Sequence, residues 1–290
     1  MTAAQSPATW RIIDLIKWGT EHFRAQEIHN ARLETEWLLA HVLDLQRVDL
    51  YVQFERQLTQ AELATFKELV QRRKAREPFQ YIIGKAPFYG RDFGVNPAVL
   101  IPRPESELLI QMLREGPAPA TLLDVGTGCG CLAITAALLY PEASVLAIDN
   151  SPEALEVAAE NARTMGASGV EFRTLDILAS CPEGLFDAVL CNPPYITTTE
   201  AANLPAVVRD HEPANALFDS GDGLTFHRRL AELAGRFLSS EGRLIMEIGG
   251  EAQAAAAGQI FEDAGLTVTV RTDLQRDPRA VLGILNPEKI

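Results

Sequence analysis

The feature that most constrains this chain is a rhythm beginning near residue 120. Short apolar runs at 121–125, 145–148, 170–175, 186–191, 243–248, 267–270 and 280–285 read as strands, and helical segments separate several of them. Alternation of this kind implies a doubly wound α/β sheet. The segment after the first run is rich in alanine and leucine and stops at Pro141. After the second run, Ser151 and Pro152 supply an N-cap and a proline at the first helical position.

Residues 1 to about 80 have a different texture and read as helical. Trp10, Ile13, Leu15, Ile16 and Trp18 recur at roughly helical spacing. Asn30 is placed to cap a second helix with Leu33, Trp37, Leu38 and Val42 on its apolar side. Thr59-Gln-Ala-Glu62 is a capping-box pattern opening a third, with Leu63, Phe66 and Leu69 as its stripe. The basic run Arg72, Arg73, Lys74 and Arg76 reads as a solvated helix end favoured by the macrodipole. Helical texture stops near Pro78, and residues 79–101, rich in glycine, proline and aromatics, suggest a hairpin or an extended connector.

Composition narrows the function classes. With 290 residues, 47% hydrophobic and 22% charged, the chain is an ordinary globular mix, long enough for a large domain and a small one. It has no apolar run of membrane-spanning length and no secretory pattern at its N-terminus, so neither a membrane association nor secretion is expected. Cys129, Cys131, Cys181 and Cys191 form no CxxC pair and read as reduced core residues of a cytoplasmic protein. The five histidines show no ligand spacing, so no metal is expected. The net charge of 26 − 39 = −13 argues against a grip on a nucleic-acid backbone and is compatible with a basic protein partner.

The first apolar run ends in Leu122-Leu-Asp-Val-Gly-Thr-Gly-Cys-Gly130. Glycines 126, 128 and 130 leave no side chain to block a close ligand. A dinucleotide fingerprint needs its third glycine one residue later. Gly126-x-Gly128-x-Gly130 instead resembles the first motif of class I S-adenosylmethionine-dependent methyltransferases, with Thr127 and Cys129 between the glycines. Asp149 ends the second run, where a carboxylate can accept hydrogen bonds from both ribose hydroxyls. Asp176, after the third, resembles the position that serves the adenine amine, and Ile177 is placed to pack on the ring. Asp124 is expected to hold the loop by its backbone amides.

Asn192-Pro-Pro-Tyr195 follows the fourth run and lands at the same sheet edge. An amide nitrogen is a poor nucleophile because its lone pair is delocalised, but it carries two N–H donors. Two fixed acceptors, the Asn192 side-chain oxygen and the Pro193 carbonyl, can orient it and favour electron density moving to nitrogen. Asn192 and Pro193 each precede a proline and are biased to extended conformations, which preorganises the pair. Tyr195 offers a flat face for a planar amide or base. Cofactor contacts are expected at residues 126–130, Asp149, Asp176, Ile177 and Asn192, and catalysis at Asn192, Pro193 and Tyr195.

With these motifs the chain resembles the HemK-type protein-(glutamine-N5) methyltransferases, and within them the release-factor glutamine methyltransferases. The segments 78–84, 100–107, 211–217, 221–224 and 247–249 extend the resemblance over most of the chain. It implies an all-helical N-terminal domain over 1–80 that helps hold the substrate, a β-hairpin connector over 81–101, and a class I methyltransferase domain over 102–290 with a Rossmann-like seven-stranded sheet. The implied reaction moves a methyl group from S-adenosylmethionine, leaving S-adenosylhomocysteine. It goes to the glutamine of the Gly-Gly-Gln motif in class I peptide chain release factors. Arg103, Pro104 and Glu105 would shape the pocket mouth, and Pro194 would join Asn192, Pro193 and Tyr195 around the substrate. One departure is visible: where the family reads like Asp-Leu-x-Gly-x-Asp-Arg, this chain has Asp273-Leu-Gln-Arg-Asp-Pro-Arg279.

The same active-site chemistry would serve a glutamine methyltransferase acting on a ribosomal protein. An N6-adenine methyltransferase uses an Asn-Pro-Pro-Tyr motif on a flipped base, but the acidic charge argues against it. A non-catalytic module retaining the cofactor fold is a third class, which the intact motif disfavours.

Overall fold

In a computed structural model that describes residues 9–286, the chain divides into two units between Ile83 and Gly84. In the first, the described residues form α1 (Ile12–Arg24), α2 (Ala31–Leu43), α3 (Asp49–Val52), α4 (Gln60–Lys74) and α5 (Phe79–Ile83). Ile12, Leu15, Phe23, Leu38, Leu39 and Phe66 are among the side chains of its core. α4 opens on the expected capping box: the Glu62 amide donates to Thr59 Oγ1 at 3.2 Å, and the Thr59 amide donates to the Glu62 carboxylate at 2.7 Å.

Four expectations for this region need correction. α2 buries Ala31, Thr35, Leu38 and Leu39, whereas Leu33 and Trp37 are 38% and 41% exposed. Apolar residues surround most of this helix, so packing against α1, rather than periodicity, selects the buried side. Asn30 precedes α2 but makes no side-chain cap. The basic run is not simply solvated: Arg73 bonds Glu34 on α2 at 2.6 Å, Arg72 pairs with Glu77, and Arg76 donates to the Gln26 carbonyl at 2.8 Å. Finally, residues 79–83 are helical rather than extended. The Pro78 carbonyl accepts from the amides of Tyr81 and Ile82, and both side chains are buried.

The second unit begins with a hairpin, β1 (Lys85–Phe88) and β2 (Arg91–Gly94), followed by α6 (Glu107–Glu115). Then come β3 (Thr121–Val125), α7 (Cys131–Leu139), β4 (Ser144–Asp149), α8 (Pro152–Met165), β5 (Val170–Thr174) and β6 (Phe186–Cys191). A short segment, β7 (Ile196–Thr197), α9 (Ala206–Arg209), α10 (Ala214–Leu217) and β8 (Phe218–Asp219), leads to α11 (Thr225–Phe237). The chain closes with β9 (Leu238–Glu247), α12 (Glu251–Asp263), β10 (Leu266–Thr272) and β11 (Pro278–Leu285). α8 starts as expected, with Ser151 Oγ accepting from the Ala154 amide at 3.1 Å ahead of Pro152.

Seven strands form one sheet in the order β10-β11-β9-β6-β3-β4-β5. β3, β4, β5, β6 and β9 are parallel, and β11 is antiparallel to both β9 and β10. The order runs outward from β3 through β4 to β5, and on the other side through β6 to β9. The crevice beyond the carboxyl ends at such a reversal is where an open α/β sheet takes its ligand. Register then fixes what arrives there. Val125 lies opposite both Ile148 and Cys191, and Cys191 lies opposite Met246. The next residues along these four strands are Gly126, Asp149, Asn192 and Glu247, delivered side by side at one level of the sheet edge.

The β10–β11 turn contains the departure noted above. Arg276 stands at the family's glycine position with φ +70°. The turn forms regardless: Asp273 Oδ1 accepts from the amides of Gln275 and Asp277, and Oδ2 accepts from Arg279 Nε at 3.0 Å. A left-handed non-glycine residue costs roughly 1–2 kcal/mol, part of which glycine returns through its freer unfolded chain. Arg276→Gly is therefore expected to raise stability by up to about 1 kcal/mol in denaturant unfolding.

Candidate active site

The glycine loop is shaped from both sides. Gly126 and Gly128 have φ of +70° and +55°, and a Cβ on either would meet nothing within 4 Å, so both face open space. Gly130 has a different reason to be glycine: a Cβ there would lie 2.7 Å from Ile134 Cδ1 and 3.2 Å from Ala158 Cβ. Behind the loop, buried Asp124 accepts from Thr127 Oγ1 at 2.7 Å and from the Ala133 amide at 3.1 Å. Burial pushes its carboxyl up to about 7, and its other oxygen is buried with no partner among the described residues. Asn161 of α8 donates to the Cys129 carbonyl at 2.8 Å and exchanges hydrogen bonds with the Gly94 backbone, tying loop to hairpin.

Asp149 accepts from the Gly128 amide at 2.9 Å through one oxygen and from the Ser151 amide at 3.0 Å through the other. Its lone pairs are not exhausted by these two bonds. Gly126, Gly128, Asp149, Asp176, Ile177 and Asn192 all line one cavity at this edge, with Pro193 and Pro194. Thr127, Cys129 and Gly130 are not on its surface and act from behind. A second cavity is lined by Arg103, Tyr195, Leu204, Val208 and Leu217. Leu100, Asn192, Pro193 and Ala216 line both. Glu105 is exposed and lines neither.

Beneath the partition lies a chain of hydrogen bonds. Asn192 Nδ2 donates to Ser106 Oγ at 2.9 Å, and that hydroxyl donates to Glu247 Oε2 at 2.5 Å. The Tyr195 hydroxyl reaches Glu247 Oε1 at 3.3 Å. Glu247 is 2% exposed, and burial pushes its carboxyl up to about 7. His227, held neutral by burial with its pKa at about 4, bonds the Glu247 carbonyl through Nε2 at 3.0 Å. Burial raises the Tyr195 phenol well above its usual range, so it stays protonated. Burial, reinforced by Asp124, Glu247 and Asp149, likewise raises the Cys191 thiol, which therefore offers no thiolate nucleophile.

Two further contacts were not legible beforehand. Glu212, 6% exposed, accepts from Arg103 at 2.6 Å and from the Ile101 amide at 3.1 Å, so Arg103 is anchored where it meets the second cavity. Gln253 Nε2 donates to the Tyr195 carbonyl at 2.9 Å. A Cβ on Gly223, whose φ is +85°, would lie 2.5 Å from that carbonyl oxygen and 2.3 Å from Gln253 Nε2. Gly223→Ala is expected to displace Tyr195 and to cost about 1–3 kcal/mol of stability, as strain and overpacking do. Thermal unfolding beside a turnover assay would measure both effects.

A doubly wound seven-stranded sheet, a glycine loop at its switch point and Asn-Pro-Pro-Tyr just past the end of the neighbouring strand define a methyltransferase of the Rossmann-like α/β class. Comparison with known proteins agrees. Residues 14–84 match the PrmC N-terminal domain, and residues 104–226 match the methyltransferase small domain. A release factor glutamine methyltransferase from Koribacter versatilis is 42% identical over 91% of this chain and 94% of its own length. Another, from Geobacter sulfurreducens, is 40% identical over 84% of this chain and 86% of its own. The crystal structure of a methyltransferase from Pyrococcus furiosus, 18% identical, superposes with a TM-score of 0.54 over 74% of this chain and 99% of that one, a likeness of fold. The chain belongs to the release factor glutamine methyltransferase family.

Proposed function

We propose that this enzyme transfers a methyl group from S-adenosylmethionine to the side-chain nitrogen of the glutamine in the Gly-Gly-Gln motif of class I peptide chain release factors. The observation that carries the reading is the pair of cavities divided by Asn192 and Pro193, which gives a donor and an acceptor adjoining seats. The first cavity suits the donor: two glycines leave its floor open, and carboxylates stand at the ends of two successive strands. When bound, S-adenosylmethionine supplies an electrophilic methyl on a sulfonium.

The chain's own residues do the rest. Asp149 accepts from the ribose hydroxyls, Asp176 serves the adenine amine, and Ile177 packs on the ring. Asn192 Oδ1 and the Pro193 carbonyl hold the two N–H groups of the substrate amide, so density at nitrogen rises as the methyl arrives. Tyr195 supports its flat face. Leu204, Val208 and Leu217 give the second cavity apolar walls suited to the methylenes of a glutamine side chain. Arg103 meets the backbone around that glutamine; Glu105, which lines neither cavity, is given no contact with it. No strong base is required before attack, and the proton lost by the methylated nitrogen passes to water.

The helical first unit helps hold the release factor. No described helix is long and apolar enough to cross a membrane. A release-factor substrate would place the enzyme in the cytoplasm. The acidic net charge supports a protein substrate over DNA or RNA. The test is labelled methyl transfer to a purified release factor, with the Gly-Gly-Gln glutamine replaced as control. Incorporation is expected in the intact factor alone, and transfer to DNA would overturn the assignment.

A further inference from the structure

The two ends of an asparagine amide are nearly the same shape and opposite in hydrogen-bonding sense. If Asn192 presented its NH2 to a substrate NH2, donor would face donor, and the amide acceptor proposed above would be lost. Something must decide which way the side chain points. Asn192 Nδ2 donates to Ser106 Oγ at 2.9 Å, which leaves Oδ1 as the end free to face the cavities it lines. A serine hydroxyl by itself decides nothing, because it donates or accepts with equal ease.

Glu247 removes the ambiguity. An ionised carboxylate only accepts, so Ser106, 2.5 Å away, must donate to it, and the serine oxygen is left to accept from Asn192. The other carboxylate oxygen accepts from Tyr195 in the same way. Ser106 and Glu247 are each 2% exposed, so water does not compete for these bonds. The neutral His227 ring fixes the backbone of Glu247 from behind, its Nε2 donating to a carbonyl that can only accept. We propose that Ser106 and Glu247 are positioning residues that turn the oxygen of Asn192, and the face of Tyr195, toward the acceptor. The proposal rests on the functional reading above for its substrate, but not for the orientation itself.

Cooperative polarisation along the chain adds to the effect, since a hydroxyl bonded to a carboxylate is a stronger acceptor and leaves Asn192 Oδ1 richer in electrons. The charge on Glu247 is what sets the sense of the chain. Tyr195, Ser106 and His227 contact it, while Glu105 opposes its ionisation and Arg279 favours it. Protonated Glu247, like glutamine, has one donor and one acceptor end, and either Ser106 or Tyr195 must then reverse. Turnover is therefore expected to rise as pH passes upward through about 7.

The experiment has two readouts. In protein labelled with 15N at asparagine, the Asn192 side-chain NH2 signals, assigned by their loss in Asn192→Ala, are expected to be protected from solvent exchange. Ser106→Ala and Glu247→Gln should each shift these signals and remove the protection. With a release factor as acceptor, both variants are expected to lower kcat roughly 10- to 100-fold with KM little changed, as for an interaction felt in the transition state. In Asn192→Ala protein, Ser106→Ala should cost nothing further, because it acts through a group already gone. The pH inflection should vanish in Glu247→Gln. Unchanged Asn192 signals in both variants, or a Ser106→Ala loss that adds to that of Asn192→Ala, would overturn the proposal. Should Ser106→Ala fail to fold, Glu247→Gln, which keeps the shape, decides by its Asn192 signals and by the loss of the pH inflection. If the wild type methylates no release factor while the Asn192 signals respond as expected, the functional reading fails and the orientation device stands.

Discussion

Asn192→Ala is expected to lower kcat by about 10²–10³-fold, the usual cost of one preorganised polar contact to a reacting group, while donor affinity stays within a few-fold. The two effects separate because Asn192 lines both cavities, and the contacts proposed for the donor at Asp149 and the glycine loop are untouched. With one acceptor gone, the substrate amide is held by the Pro193 carbonyl alone and is free to turn about that bond. Its lone pair then points at the methyl group for a smaller fraction of encounters. Asn192→Asp should fare little better. It restores an acceptor on the cavity side, but it places a second carboxylate against Ser106, whose single proton is committed to Glu247. Single-turnover methyl transfer gives the rate, and calorimetry with S-adenosylmethionine gives the affinity. Wild-type turnover in Asn192→Ala would refute the two-acceptor arrangement.

The residues of this site that could be read from sequence share one property: each stands just past, or at the end of, an apolar run. Gly126, Asp149, Asp176 and Asn192, which line one cavity, are legible in this way, because parallel strands carry their ends to one edge whatever their order. The order itself cannot be read from periodicity. Nothing in residues 243–248 says that β9 lies beside β6, and only that neighbourhood brings Glu247 level with Asn192. The signal that was present is a glutamate inside the apolar run Leu244-Ile-Met-Glu-Ile248, where an unpaired charge would be costly. Ser106 gave no such signal. Its partner is 141 residues away, and its importance lies wholly in tertiary contact.

The helical region failed for the opposite reason. α2 has too many apolar residues for a single stripe, so spacing alone points Leu33 and Trp37 inward although Thr35 and Leu39 occupy that side. The basic run looked solvated because its partner Glu34 lies 39 residues earlier. Local rules such as the Thr59 capping box and the Ser151-Pro152 helix start held, since both ends of each interaction lie within one turn. The missing glycine at Arg276 is intermediate: the local rule was broken, but Asp273 gathers two amides and a guanidinium and holds the turn closed.

Asp149→Ala is expected to weaken S-adenosylmethionine binding on the order of 10²-fold or more, with kcat at saturating donor reduced far less. Two contributions add. Hydrogen bonds from ribose hydroxyls to a charged acceptor are worth about 1.5–3 kcal/mol each, and every 1.4 kcal/mol is a factor of ten in affinity. The carboxylate also holds the loop itself, through the Gly128 amide at 2.9 Å and the Ser151 amide at 3.0 Å. Without it, Gly128, at a φ of +55°, loses the bond that fixes a conformation glycine otherwise adopts among many. Binding must then supply the ordering that the native loop already has. Asp149→Asn separates the two contributions. Its amide keeps one acceptor for one of the two backbone N–H groups but turns a donor toward the other, so it should lie between wild type and alanine. Calorimetric affinities for the three proteins test this order, and unchanged affinity in Asp149→Ala would remove the residue from the donor site.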